Sequence, residues 1–210
     1  MPIRDNREYR SAPMFEIRAA QENGEESYQV EGYATTWEEY VLFEFDGIEY
    51  KEKILPEAID ENTDLSDVIF VKDHGGTVYA RTKNNTLELT KDEHGLKVRA
   101  DMSKTPSARE AFEEIRAGMY DQMSFAFVVD DDEYNSTDHL RTIRHIKKLY
   151  DVSFVSFPAN PGTDISVATR SRFDGFIEAE QAERLEKEQR LNLAKAKYNY
   201  LKQKQEEKKQ

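Results

Sequence analysis

Residues 123–157 read MSFAFVVDDDEYNSTDHLRTIRHIKKLYDVSFVSF. Two long β-prone runs, MSFAFVV and RTIRHIKKLYDVSFVSF, flank the acidic, turn-rich DDDEYNSTDH, so the stretch predicts strands and a sheet-dominated body. Within MSFAFVV, period-two alternation sends Met123, Phe125, Phe127 and Val129 to one face and Ser124, Ala126 and Val128 to the other.

Upstream lies the clearest helix, about Pro106 to Ala117, with Thr105 as N-cap, Pro106 in the first turn and Gly118 as the stop. Its apolar face holds Ala108, Ala111, Phe112 and Ile115. Further strands are predicted in MFEIRA and SYQVEGYATT, in VLFEF and IEYKEKI around an Asp46-Gly47 turn, and in VIFV, TLELT and GLKVRADM. The last alternates Leu96, Val98, Ala100 and Met102 toward one side. A short run follows at Ile165 to Ala168.

From Ile177 to Gln210 the chain has no Gly or Pro and is rich in Glu, Lys, Gln, Arg, Ala and Leu, as in a long exposed helix. Leu191, Ala194, Tyr198 and Leu201 recur at coiled-coil spacing, but Arg184 and Lys187 occupy the matching positions upstream, so the seam is short. The organisation expected is a flexible N-terminus over 1–13, a body over 14–172 and a charged helical tail over 173–210.

Composition narrows the function. The chain has 210 residues, 38% hydrophobic and 34% charged, which gives one core diluted by something polar. Its net charge of −12 argues against general nucleic-acid binding, which relies on Lys and Arg to neutralise phosphates. The stretch 177–210 holds nine Lys or Arg against seven Asp or Glu, net +2, leaving −14 on the rest. No apolar run approaches the roughly 18 residues of a membrane span, and the start MPIRDNREYR lacks a signal-peptide core, so a soluble intracellular chain is expected. With no cysteine, thiol catalysis and Cys-ligated metals are excluded.

Three residues could carry chemistry. Ser124 shares its face with small side chains, which leaves room above a hydroxyl fixed on a rigid strand; it also reads as an ordinary satisfied strand serine. His74 ends a β-prone run beside Gly75-Gly76, either as a general base or as a surface histidine at a glycine turn. Asp151 heads a very apolar run and therefore needs a partner, either a histidine or backbone amides, Lys147 or Lys148. A metal hydrolase using Asp73, His74, His94, Asp138, His139 and His145 is a weaker reading, because no pair has the spacing of a helical metal motif.

Taken in order, EGYATTW, KDHGG followed by ART, DEHGLKVRADM, AFEEIRAGMYDQMSFAF and DVSFVSFPANPGTDISVA resemble the prohead proteases of tailed phages. The resemblance covers roughly residues 14–170. Those enzymes are similar to the herpesvirus assembly proteases, which implies an α+β, mainly β fold: a small closed or nearly closed β-barrel with surrounding helices, here followed by the long C-terminal helix. It implies Ser124 as nucleophile, His74 as general base and Asp151 as the orienting acid, where the family more often has Glu. Pro56-Glu57-Ala58-Ile59 stands where the family often has Gly-Ala-Phe. The loop around Ala159 and Asn160 resembles the place where relatives supply the oxyanion hole.

The implied reaction is acyl transfer on a peptide, without cofactor or metal. The implied substrates are scaffold, the N-terminal segment of the major capsid protein, and the protease itself. The implied setting is the host cytoplasm and then the prohead interior, with no nucleic-acid or membrane partner. A homodimer is an open option, since related viral enzymes act as dimers. For the tail, the resemblance offers scaffold binding that carries the chain into the shell; a merely solvated helix is the alternative. A non-catalytic capsid-assembly or scaffold protein on the same fold is the rival function, and the presence of both His74 and Ser124 weighs against it.

Overall fold

The computed structural model describes residues 7–19, 27–156 and 167–207. The 123–157 stretch forms an antiparallel pair, β9 (Gln122–Asn135) and β10 (Leu140–Val155). At 16 residues, β10 is long enough to take two partners along its other edge. β4 (Ile48–Ile54) runs parallel to Leu140–Ile143, and β5 (Ile69–Lys72) runs parallel to Asp151–Phe154. β3 (Tyr40–Phe45) folds back on β4 through Asp46 and Gly47, whose φ angles of 53° and 73° are those of the expected tight turn. β6 (Gly75–Arg81) folds back on β5.

On the far side of β9, β1 (Glu8–Ala19) pairs first with β9 and then, after its register breaks between Ser11 and Glu16, with β2 (Gln29–Thr36). Such a break bends a strand and hands it to a new partner. β8 (Gly95–Asp101) and β7 (Leu87–Lys91) complete the ladder β3-β4-β10-β9-β1-β2-β8-β7. Among the described residues no pairing joins β7 to β3 or β6, so no closed barrel is found: the β5–β6 hairpin branches from β10 instead of continuing the path.

The apolar faces meet as their alternation predicts. Met123, Phe125, Phe127 and Val129 of β9 and Leu96, Val98 and Ala100 of β8, with Met102 just beyond it, share one core. The helix α1 (Pro106–Arg116) adds Ala108, Ala111, Phe112 and Ile115. The Thr105 hydroxyl accepts from the Ala108 N–H at 3.1 Å, and Gly118 follows the helix at φ 73°. At Gly95 a Cβ would lie 2.0 Å from the Thr35 carbonyl oxygen, so the approach of β2 to β8 requires glycine.

β1 starts at Glu8, ahead of the Met14 at which the sequence reading opens the first strand and within the segment it expects to be flexible. The physical reason is a buried ion network. Glu8 and Arg10 on β1, Glu52 on β4 and Arg141 on β10 are each at most 2% exposed and bond to one another. Burial opposes ionisation of Glu8, but the Arg10 and Arg141 charges outweigh it and lower its pKa from the ordinary 4.5 to about 2. A depressed carboxyl pKa contributes stability that is complete above the unfolded value and is lost as pH falls through the folded one. Urea titrations are therefore expected to show this contribution, on the order of 3 kcal/mol, disappearing between about pH 4.5 and pH 2. Glu8→Gln should flatten that limb, and an unchanged acid limb would sink the assignment.

The chain divides into two compact units, Met1–Thr169 and Arg170–Gln210. The second consists largely of α2 (Val167–Glu207), on which Glu183–Lys187 and Glu186–Arg190 pair at 2.7 Å with i,i+4 spacing. Leu191, Tyr198 and Leu201 of the short seam are exposed. Among the described residues no helix is long and apolar enough to cross a membrane.

Candidate active site

Ser124, Asp151 and His74 come from three elements that the sheet brings together. The register sets Ser124 on β9 opposite Ser153 on β10, and Ala126 opposite Asp151. Period two puts Ser124 and Ala126 on one face of β9, with Asp151 and Ser153 on the adjoining face of β10. The opposite face of β9 is committed to the core. His74 arrives from the turn between β5 and β6.

Its ring bridges the other two groups. Nε2 lies 2.5 Å from Ser124 Oγ and Nδ1 lies 2.6 Å from Asp151 Oδ1. Ser124 and Asp151 are buried, while the His74 side chain keeps 19% exposure. The imidazole thus lies between a buried carboxylate and the solvent-accessible side of the turn. The Tyr9 and His74 rings pack in a T-shaped arrangement, with centroids 4.6 Å apart and planes at 72°.

The turn that carries His74 is strained. Lys72 pairs with Gly75, and the two residues between them, Asp73 and His74, have φ of 48° and 55°. A two-residue turn with both φ positive matches the twist of a hairpin, but each non-glycine there costs roughly 1 kcal/mol. A positive φ recurs at Gly76, at 72°, so the left-handed stretch begins at Asp73 and overlaps the glycine turn.

Surrounding bonds hold the turn in place. The Asp73 carboxylate accepts from the Ser156 N–H and hydroxyl, both at 2.8 Å, and the Asp73 N–H donates to the Phe154 carbonyl at 3.1 Å. The His74 N–H donates to Ser153 Oγ at 3.3 Å. The hairpin is thereby tied to the end of β10, the strand that carries Asp151.

Asp151 finds a partner in His74, while Lys148, one of the lysines expected as an alternative, pairs with Asp64 at 2.6 Å. Ser153 and Ser156 escaped the sequence reading, and Asp73 entered it only as part of the metal set. Ser153 had a signal, because Asp151 and Ser153 stand two apart on one strand and must share a face. The oxyanion loop expected around Ala159 and Asn160 lies outside the described residues.

The alternative metal set does not assemble. His94 precedes β8 and packs on Tyr33, His139 ends the β9–β10 turn, and Asp138 bonds Asn135. His145 sits between Asp130 and Asp60, and the hydrogen bond to Asp130 raises its pKa, favouring the protonated form that cannot bind metal. Among the described residues no group of three or more His, Cys, Asp or Glu side chains is arranged to hold a metal ion.

A model of one protein family, the caudovirus prohead serine proteases, matches residues 14–174. No curated protein and no solved structure matches the chain. The matched region contains His74, Ser124, Asp151 and Ser153, while Tyr9 and Ser11 of β1 precede it.

Proposed function

The chain belongs to the caudovirus prohead serine protease family, and on that premise we propose that Ser124 is its nucleophile, His74 its general base and Asp151 the acid that orients His74. The observation that carries the assignment is the unbroken relay from Asp151 through His74 to Ser124, at 2.6 and 2.5 Å.

With Nδ1–H donated to the carboxylate, Nε2 is bare and accepts the Ser124 proton as Oγ attacks a peptide carbonyl. The imidazolium so formed is stabilised by Asp151 and returns the proton to the departing amine. A water, deprotonated by the same Nε2, then hydrolyses the acyl-enzyme. Ala126 leaves the space beside Asp151 free of a bulky side chain.

The substrates proposed are scaffold, the N-terminal segment of the major capsid protein, and the protease itself. The proposed site of action is the host cytoplasm followed by the prohead interior. Irreversible cleavage there would commit the shell to maturation.

Co-expression with the cognate capsid protein, beside a Ser124→Ala variant, tests the assignment through intact masses. Wild type is expected to trim the capsid protein or itself and the variant to leave both at full length. Equal trimming by the two would remove Ser124 from the mechanism, and full-length masses in both, within assembled proheads, would favour a non-catalytic assembly role.

A further inference from the structure

We propose that Ser153 is a positioning residue that fixes the Asp151 carboxylate, the His74 ring and the His74 turn in a single arrangement; this rests on the protease assignment above. Ser153 follows Asp151 by two residues on β10 and is fully buried. Its neighbours across the sheet are Ser124 on β9 and Val71 on β5, so strands on both sides hold its backbone.

Every bonding direction of the hydroxyl meets the relay. Ser153 Oγ donates to Asp151 Oδ1 at 2.8 Å, the same oxygen that lies 2.6 Å from His74 Nδ1. One lone pair accepts the backbone N–H of His74 at 3.3 Å. The oxygen also stands 3.2 Å from Nδ1, as a second, weaker acceptor for the proton that Nδ1 shares with the carboxylate.

This geometry selects one tautomer. The single hydroxyl proton is spent on Oδ1, so Nδ1 faces two oxygens that can only accept, and it must carry a hydrogen. Nε2 is then the bare nitrogen, on the side of Ser124. The bond from the His74 N–H also helps hold the left-handed turn, so one hydroxyl sets the rotation of the acid, the tautomer of the base and the backbone that delivers it. A residue needed only to fill space would require none of these bonds.

The test is the second-order rate at which a fluorophosphonate labels Ser124 in wild type, Ser153→Ala, Asp151→Ala and the double variant, with each unfolding midpoint measured alongside. Ser153→Ala is expected to slow labelling by about 10–100-fold, and the double variant to label within about threefold of Asp151→Ala alone, since Ser153 acts through that carboxylate. Losses that multiply in the double variant, or Ser153→Ala labelling at the wild-type rate, would overturn the role. Wild type that does not label would overturn the protease assignment itself and this role with it.

Should Ser153→Ala fail to fold, ¹⁵N shifts of His74 in the wild-type protein at alkaline pH decide the matter. The proposal requires the Nδ1–H tautomer, and a proton on Nε2 would refute it.

Discussion

His74→Asn is expected to lower the rate of capsid trimming and of fluorophosphonate labelling by about 10⁴-fold, the scale on which relay members act. Asparagine is the informative substitution because it tolerates the φ of 55° at this position, whereas most other side chains would add strain. It supplies no basic nitrogen, so the Ser124 hydroxyl keeps its proton at neutral pH and only water remains to accept it. Asp151 loses its histidine but retains the Ser153 hydroxyl, so the cost in stability is expected to stay near 1–3 kcal/mol and the fold to survive. Urea unfolding run beside the labelling assay separates the two effects. Residual activity above about a tenth of wild type would mean that another group takes the proton. The chain offers no second histidine for this: His94 and His139 sit at other turns, and His145 is held by Asp130.

Local periodicity revealed the parts of this molecule whose two faces differ in polarity. Met123 to Val129 alternates cleanly because one face is core, and the same alternation isolates Ser124 among small neighbours. The Asp46-Gly47 turn and the Thr105-capped helix were equally visible, since their residue types answer to backbone geometry alone. Which partner Asp151 chooses was not visible. His74 is 77 positions away in sequence, and the two meet only because β5 lies parallel to the second half of β10.

The left-handed turn at His74 was not visible for a related reason. Gly75-Gly76 advertises conformational freedom, while Asp73 and His74 take up the left-handed conformation because Ser153, Phe154 and Ser156 hold them there. The open ladder contradicts no local signal: whether the first and last strands meet is a property of the whole sheet.

The charges of β1 defeated pattern reading altogether. Glu8 and Arg10 look like surface residues, yet they join Glu52 and Arg141 in a dry cluster. Arg10 Nε and Nη2 reach both Glu52 oxygens at 2.5 and 2.7 Å, and Tyr40 donates to Glu52 at 2.5 Å. Arg141 Nη1 and Nη2 reach the two Glu8 oxygens at 2.6 and 2.9 Å, Nη1 also reaches Glu52 at 2.9 Å, and Nε reaches Asp132 at 2.6 Å. Five strands, β1, β3, β4, β9 and β10, thus meet at one set of two cations and two buried anions, with a third carboxylate, Asp132, at its rim. Burial disfavours charge on Arg10 and Arg141, but the carboxylates around them raise both pKa values further, so both stay charged.

Arg141→Ala is therefore expected to destabilise the protein by about 3–5 kcal/mol, most of it from leaving one carboxylate buried without a counter-charge. The effect should extend to the relay, because Glu8 anchors the stretch of β1 that places Tyr9 against His74 and Ser11 opposite Ser124. The sign of the coupling distinguishes this account from simple loss of packing. Glu8→Gln alone should destabilise, because it removes the carboxylate that accepts from both Arg10 and Arg141, but in the Arg141→Ala background it removes surplus negative charge and should recover about 1–2 kcal/mol. Denaturant midpoints of wild type, the two single variants and the double variant complete the cycle. If the two costs simply add, Glu8 and Arg141 are not coupled, and the start of β1 is held instead by the Arg10–Glu52 pair and its backbone pairing with β9.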